Sequence, residues 1–168
     1  MDGDDLDSDS RKLGDPGSPA FQVGRYPFYL LNRAVSRYNI VIEARLRTIG
    51  LDIPTWRVLM VLGERAPRSI GELADSAVIV LSTMQRIVQR MERAGLVNSA
   101  PRADDARVRN VALTPAGEAK LGAARDITAP VYAALIKGFS RTEFDRLLGL
   151  LGRLQDNLDV VEGYGGDT

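Results

Sequence analysis

The spacing of apolar residues changes abruptly after Gly95, and this change constrains the fold more than any other feature of the sequence. Before it, residues 82–94 follow the three-or-four-residue spacing of an amphipathic helix, and Gly95 suits a left-handed helix stop. After it, residues 96–102 and 108–114 are short β-forming runs around the polar segment 103–107, which predicts a hairpin. The chain is therefore predicted to be mainly α-helical with one small β-wing.

The sequence before this hairpin predicts three further helices. Apolar residues of the segment 26–49 recur at steps of three or four, which indicates a long amphipathic helix. Pro54 opens a second helix, and Ser69 with Glu72 forms a capping box that begins a short third one. The apolar run 78–81 is open to two interpretations, a buried turn or the beginning of the next helix.

The sequence after the hairpin predicts two more helices. Thr114 and Pro115 have the N-cap and first-turn residue types of a helix that runs to about Gly138, with a kink at Pro130. Ser140, followed three residues later by Glu143, is a second capping box and opens a Leu-rich last helix. A long apolar stripe at the start of a chain, as in residues 26–49, usually packs on a segment distant in the sequence or on another copy.

Charge is distributed unevenly although the formal net charge is zero. Residues 1–20 carry a net charge of −4 and few large apolar side chains, so we expect a disordered acidic tail. Residues 21–168 carry +4 and form a single predicted domain. No run of 18 apolar residues and no apolar leader is present, which predicts a soluble, cytoplasmic protein.

The absence of cysteine and histidine removes several kinds of chemistry. Disulfides, Cys/His zinc sites, Ser-His-Asp triads and Cys-His pairs are all excluded, and we expect no metal and no cofactor. Asp104 and Asp105 are the only adjacent acidic pair outside the tail, and on a hairpin tip they would be solvated and point apart. We therefore do not expect an enzyme.

The helix 82–94 is the candidate DNA reader, because a helical wheel places its apolar residues on one side. Amides and guanidiniums occupy the other side without an aspartate, and these groups form bidentate contacts with adenine and guanine in the major groove. An arginine on a protruding wing can enter the minor groove, and Asp105 is placed to orient Arg107. The candidate DNA-binding residues are Ser69, Ser82, Thr83, Gln85, Arg86, Gln89, Arg90, Arg107 and Arg109.

These residues resemble the MarR family (multiple antibiotic resistance regulators) of transcription factors over residues 26–160. The resemblance rests on Trp56-Arg57-Val58-Leu59, Ser69-Ile70-Gly71-Glu72-Leu73-Ala74, Glu92-Arg93-Ala94-Gly95-Leu96-Val97, Asp105-Ala106-Arg107 and Leu113-Thr114-Pro115-Ala116-Gly117. It implies a homodimer with residues 26–49 and 115–162 as the dimer base. Each winged helix (52–114) would then bind half of a pseudo-palindromic operator, as expected of a repressor.

The family resemblance also implies a small aromatic or phenolic effector that lowers DNA affinity. Tyr38 and Trp56 are the candidate pocket residues, and the alternative is that both are ordinary core aromatics. A second functional alternative is a winged-helix dimer that binds protein and has no affinity for DNA. The acid-free side of the helix 82–94 argues against that alternative.

Overall fold

The computed structural model describes residues 10–164, apart from residues 103 and 106. The described chain forms seven α-helices, a short 3-10 turn (Val23–Arg25) and a small antiparallel sheet, which confirms the predicted fold class. The strands are β1 (Arg68–Ser69), β2 (Val97–Pro101) and β3 (Arg109–Leu113), in the order β1-β3-β2. The helices are α1 (Ser10–Leu13), α2 (Pro27–Arg47), α3 (Ile53–Glu64), α4 (Ile70–Ala77), α5 (Leu81–Arg93), α6 (Pro115–Leu135) and α7 (Arg141–Tyr164).

The core lies where α3, α4 and α5 pack together beside the sheet. The predicted inner face of α5 is confirmed, because the four apolar side chains of that face are buried: Met84, Ile87, Val88 and Met91. The C-terminal half of α2 adds Ile42 and Leu46, while the apolar residues of its N-terminal half are largely exposed. The largest fully buried side chains are Ile42, Leu46, Val58, Leu59, Leu73, Met84, Val88, Met91, Val97 and Val111.

Local caps set where the helices begin. Both predicted capping boxes are present: Ser69 Oγ accepts from the Glu72 backbone N–H at 3.2 Å, and Ser140 Oγ accepts from that of Glu143 at 3.3 Å. In each box the glutamate carboxylate in turn accepts a hydrogen bond from the serine backbone N–H. Asp52 caps α3 by accepting the Thr55 N–H at 2.8 Å.

One junction joins the end of α5, the end of the wing and the beginning of α6. Thr114 Oγ1 donates to the Gly95 carbonyl at 2.6 Å and accepts the Gly117 N–H at 3.0 Å. The Thr114 N–H donates to the Leu96 carbonyl. Only glycine fits at 117, because a Cβ there would lie 2.0 Å from the Leu96 carbonyl oxygen.

The structure differs from the sequence predictions in three places. The two-residue strand β1 was not predicted; it pairs with β3 in the register Arg68 to Val111. The turn between α4 and α5 is not buried, since Val78 is 85% exposed at φ +53°. Residues 10–20, predicted as part of the disordered tail, form α1 and turns stabilised by Asp15 and Ser18. Residues 1–9 of that tail lie outside the described residues.

The chain divides into two compact units, up to residue 128 and from residue 129. The first contains the winged helix, and the second contains the end of α6 and all of α7. Pro130 lies inside α6, where the sequence predicted a kink. No helix in the described part of the chain is long and apolar enough to cross a membrane.

Candidate DNA-binding surface

The outer side of α5 is polar, exposed and free of carboxylates. Ser82, Thr83, Gln85, Arg86 and Gln89 are all exposed on the helix whose opposite side is buried in the core. The side chains of Gln85, Arg86 and Gln89 form no hydrogen bond or ion pair within the described residues. These amide and guanidinium groups are therefore free to contact DNA, as the sequence predicts.

Arg90, predicted to contact DNA, is paired with groups of the protein itself. Its Nη2 donates to Asp52 Oδ2 at 2.6 Å and to Thr55 Oγ1 at 2.8 Å. Burial alone would raise the pKa of Asp52, but hydrogen bonds from Thr55 and the charge of Arg90 outweigh it and hold that pKa below its usual value. Arg90 thus ties α5 to the beginning of α3, and in this arrangement its charge is already neutralised.

The wing presents Arg107 at its tip. Its side chain is 97% exposed, and its Nε lies 3.8 Å from Asp105 Oδ1. The same carboxylate oxygen accepts the Arg107 backbone N–H at 3.0 Å. Asp105 therefore holds the backbone of the hairpin tip more closely than it holds the guanidinium. Arg102, on the other arm of the wing, pairs with Asp104 at 2.6 Å.

Arg109, also predicted to contact DNA, belongs to a relay that joins the wing to α5. Its Nε and Nη2 donate to Ser99 Oγ at 2.9 and 2.6 Å, and Nη2 also donates to the Ser99 carbonyl at 2.8 Å. Ser99 Oγ in turn donates to Glu92 Oε1 on α5. The hydroxyl thus connects a guanidinium on β3 to a carboxylate on the reader. Sequence reasoning missed this role, because nothing in the local pattern links these three positions.

Ser69, the remaining predicted DNA contact, caps α4. Both its hydroxyl and its backbone N–H are engaged by Glu72. These bonds lower the pKa of Glu72, chiefly through the backbone and side-chain groups of Ser69. The contact of Ser69 with DNA therefore stays a prediction.

The predicted effector residues Tyr38 and Trp56 line one cavity of about 590 Å³. Trp56 Nε1 is buried and has no hydrogen-bond partner among the described residues. Burial raises the pKa of Tyr38, and the guanidinium of Arg57 opposes part of that rise. The cavity is lined by Tyr38, Trp56, Arg57, Met60, Val61, Ser76, Ala77 and Val78. It has the size of a small-molecule site, and its lining offers hydrogen-bond donors from a hydroxyl and a guanidinium group.

Comparison with known proteins decides the family. A family model described as MarR family matches residues 49–108. The chain is also 36% identical over 147 residues, 88% of each chain, to the HTH-type transcriptional repressor IacR of Pseudomonas putida. The chain belongs to the MarR family.

Solved structures agree with this assignment. A MarR-family transcriptional regulator from Silicibacter pomeroyi matches with a TM-score of 0.74 and 27% identity, over 81% of this chain and 92% of that one. A mutant of E. coli MarR solved with operator DNA matches with a TM-score of 0.67 over 74% of this chain and 90% of that one. At 21% identity, the second match supports the MarR fold alone.

Proposed function

We propose that this MarR-family regulator acts as a homodimer that binds a pseudo-palindromic operator and represses transcription until a small aromatic anion releases it. The outer side of α5 carries the DNA-binding part of this proposal. The side chains of Gln85, Arg86 and Gln89 are exposed and unpaired within the described residues, while Glu92, the one carboxylate of α5, is engaged by Ser99. Gln85, Arg86 and Gln89 would contact base edges and phosphates in the major groove.

The ion pairs and hydrogen bonds of the arginines change the salt dependence that we expect of DNA affinity. With all four predicted arginines at phosphates, a dimer would make about 6–8 contacts and log K would fall with log salt at a slope of −5 to −7. Arg90 and Arg109 are held by Asp52 and Ser99. Arg86 and Arg107 remain, which gives about four contacts per dimer and a slope of about −4.

Titration of the full-length chain with random-sequence duplex at low salt tests this function. We expect binding that weakens with salt at the slope given above, followed by selection of a preferred two-fold site from a random library. A protein that binds no duplex at low salt would instead support the alternative, a winged-helix dimer that recognises protein. A slope shallower than about −2 would mean that the arginines are not at the DNA.

The dimer is supported by apolar surface that this chain leaves uncovered. Leu147, Leu148, Leu150 and Leu151 of α7 are exposed, and so are Phe28 and Val35 of α2. Soluble monomers rarely expose contiguous apolar stripes of this kind. A two-fold axis would pack these apolar stripes of α2 and α7 against those of a second copy. The two α5 helices would then bind the two half-sites.

The cavity beside α3 supports the effector part of the proposal. Tyr38 and Trp56 offer ring faces and two donors, and Arg57 forms no ion pair within the described part of the chain. A buried donor without a partner is costly, so a ligand acceptor that reaches Trp56 Nε1 would be favoured. An aromatic ring bearing a carboxylate or phenolate satisfies the rings, the donors and the guanidinium together.

The same cavity reaches the turn that leads into the reader. Val78 lines it, and α5 begins three residues later at Leu81. A ligand that displaces this turn would therefore displace the first residues of α5. This contact is the physical route by which we expect an effector to lower operator affinity.

Intrinsic fluorescence provides a direct assay, because Trp56 is the only tryptophan in the chain. We expect benzoate and hydroxybenzoates to change the emission saturably and the corresponding neutral amides to bind more weakly. Arg57→Ala should weaken carboxylate binding, and Arg57→Lys should restore part of it. Equal affinity for the acid and its amide would contradict the assignment of Arg57 as the anion partner.

A further inference from the structure

The segment that leads into α5 exposes aliphatic side chains beside the polar face that we assign to DNA. Val80 is the N-cap residue of α5 and is 73% exposed, and Leu81 is its first residue and is 49% exposed. Contact of such side chains with water is unfavourable, so their burial in a complex would stabilise it. The Val80 side chain has no polar group with which to cap the helix.

This apolar patch is continuous with the reader surface. Residues four apart lie on the same side of a helix, so Leu81 shares its side with Gln85. In helix-turn-helix proteins it is the N-terminal part of the reading helix that contacts base edges. Val78 is exposed as well and lines the effector cavity, and it is not part of the proposed contact.

Only one group on the base edges of the major groove is apolar, the 5-methyl of thymine. Valine and leucine side chains have neither donors nor acceptors, so they cannot satisfy the polar edges of guanine, cytosine or adenine. A methyl group is the base feature with which they can exchange water contact for apolar contact.

We propose that Val80 and Leu81 contact thymine 5-methyl groups in each operator half-site and so select thymine at those positions. This inference rests on the proposed function, since it requires α5 to enter the major groove. It adds apolar readout by the first turn of α5 to the polar readout assigned to Gln85 and Gln89.

Removal of single methyl groups from DNA tests the proposal without changing the protein's fold. A preferred duplex is first selected from a random library with the full-length protein. Each thymine of that duplex is then replaced by uracil, and dissociation constants are measured by fluorescence anisotropy. We expect about fourfold weaker binding at each contacted methyl, and roughly fifteenfold for one methyl lost in each half-site. Uracil in the flanking sequence should have no effect.

Variants of the protein identify the contacting side chains. In Leu81→Ala and Val80→Ala, affinity for the thymine duplex should fall, and the ratio between the thymine and uracil forms should approach one. Gln89→Ala is the matched control, because it should weaken binding yet keep the full ratio. Circular dichroism of each variant should match the parent, since both substituted side chains are exposed.

Two outcomes would overturn the proposal, and they are distinguishable. Equal binding of the thymine and uracil forms by the parent protein would refute apolar readout while leaving the DNA-binding function intact. A thymine preference that survives unchanged in Leu81→Ala and Val80→Ala would assign the methyl contact to other residues. If no duplex is selected at all, the proposed function fails, and this inference fails with it.

Discussion

Helices α5 and α7 carry apolar residues at similar spacing, but the chain buries those of α5 after its first position and leaves most of those of α7 exposed. All four large apolar residues after the first position of α5 are buried, whereas α7 leaves Leu147, Leu148, Leu150, Leu151 and Leu158 exposed. In α5 the apolar side is satisfied within the chain, so its polar side is free to act on DNA. In α7 the apolar side is itself the surface in need of a partner. Under the proposed function, this difference gives readout to α5 and assembly to α7.

Deletion of residues 140–168 should have the largest effect on this division. We expect the full chain to have about twice its 18.3 kDa mass in light scattering at micromolar concentration, and the truncated chain to aggregate or unfold. The surface that receives α7 of the second copy would then be exposed to water. A truncated protein that stays monomeric, folded and able to bind DNA would break the comparison.

Single truncations on the two helices should separate fold stability from assembly. Met91→Ala removes a buried side chain of α5 and should lower the free energy of unfolding by about 2–5 kcal/mol. Leu148→Ala removes an exposed side chain of α7, so its main effect should be a higher dimer dissociation constant. Denaturant unfolding and sedimentation across a dilution series measure these two quantities. Equal losses of unfolding free energy would argue against a division of roles.

Substitutions of exposed polar residues should weaken DNA binding without unfolding the protein. Gln89→Ala should cost about 1–3 kcal/mol on the operator and relax base preference at one position per half-site. Arg107→Ala should weaken binding to most sequences and reduce the salt slope by about one unit per half-site. Arg153→Ala on α7 is the control and should change neither quantity. Anisotropy titrations at several salt concentrations distinguish the three.

The wing tip and α7 each hold an Arg–Asp pair at 3.8 Å, and only the wing pair should matter for DNA. Asp105→Ala removes the acceptor of the Arg107 backbone N–H, so we expect a looser tip and weaker operator binding. Asp145→Ala breaks the pair with Arg141 inside α7 and should leave affinity unchanged. Tighter binding by Asp105→Ala would mean that its negative charge is merely tolerated near DNA.

The smallest expected effect is on the free energy of unfolding at acidic pH. The pKa of Asp52 is lower in the folded chain than its ordinary value of 3.8, so its contribution is complete above that value and is lost as pH falls through the folded pKa. Asp52→Asn keeps an acceptor for the Thr55 N–H but removes the charge paired with Arg90, so it should flatten this acid limb at a cost of less than about 1 kcal/mol near neutrality. Glu143→Gln at the beginning of α7 has no link to α5, so operator affinity should not respond to it. An acid limb unchanged in Asp52→Asn would contradict this role.

Features set by short stretches of sequence were predictable. The buried side of α5, the hairpin and the two capping boxes each depend on residues within about four positions or on one change of period. The pairing of Arg90 with Asp52 joins residues 38 apart, so no local pattern indicated it, and the predicted DNA contact of Arg90 stays a prediction. The bonds that join Arg109, Ser99 and Glu92 were equally out of reach, because they depend on how β2, β3 and α5 meet in space.

Strand β1 was missed for a related reason. Two residues give no alternation, and β1 exists because β3 offers a free edge to Arg68 and Ser69. The exposed side of α5 could be named from residue type and helical spacing, whereas Tyr38 and Trp56 were named only through the family resemblance. Which of those side chains the protein itself uses depends on tertiary contacts that the pattern does not contain.

The junction at Thr114 has a mechanical consequence. One hydroxyl bonds both the carbonyl that ends α5 and the amide in the first turn of α6, and Gly117 lies too close to Leu96 to admit any side chain. These contacts couple the base of the wing and the first turn of α6 to the end of α5, so we expect a tilt of that turn to be passed on to the wing and the reader together. In a dimer, an effector would then act by altering the separation of the two winged helices. Because each winged helix would move as one stiff unit, an operator with one base pair inserted between its half-sites should lose affinity abruptly rather than gradually.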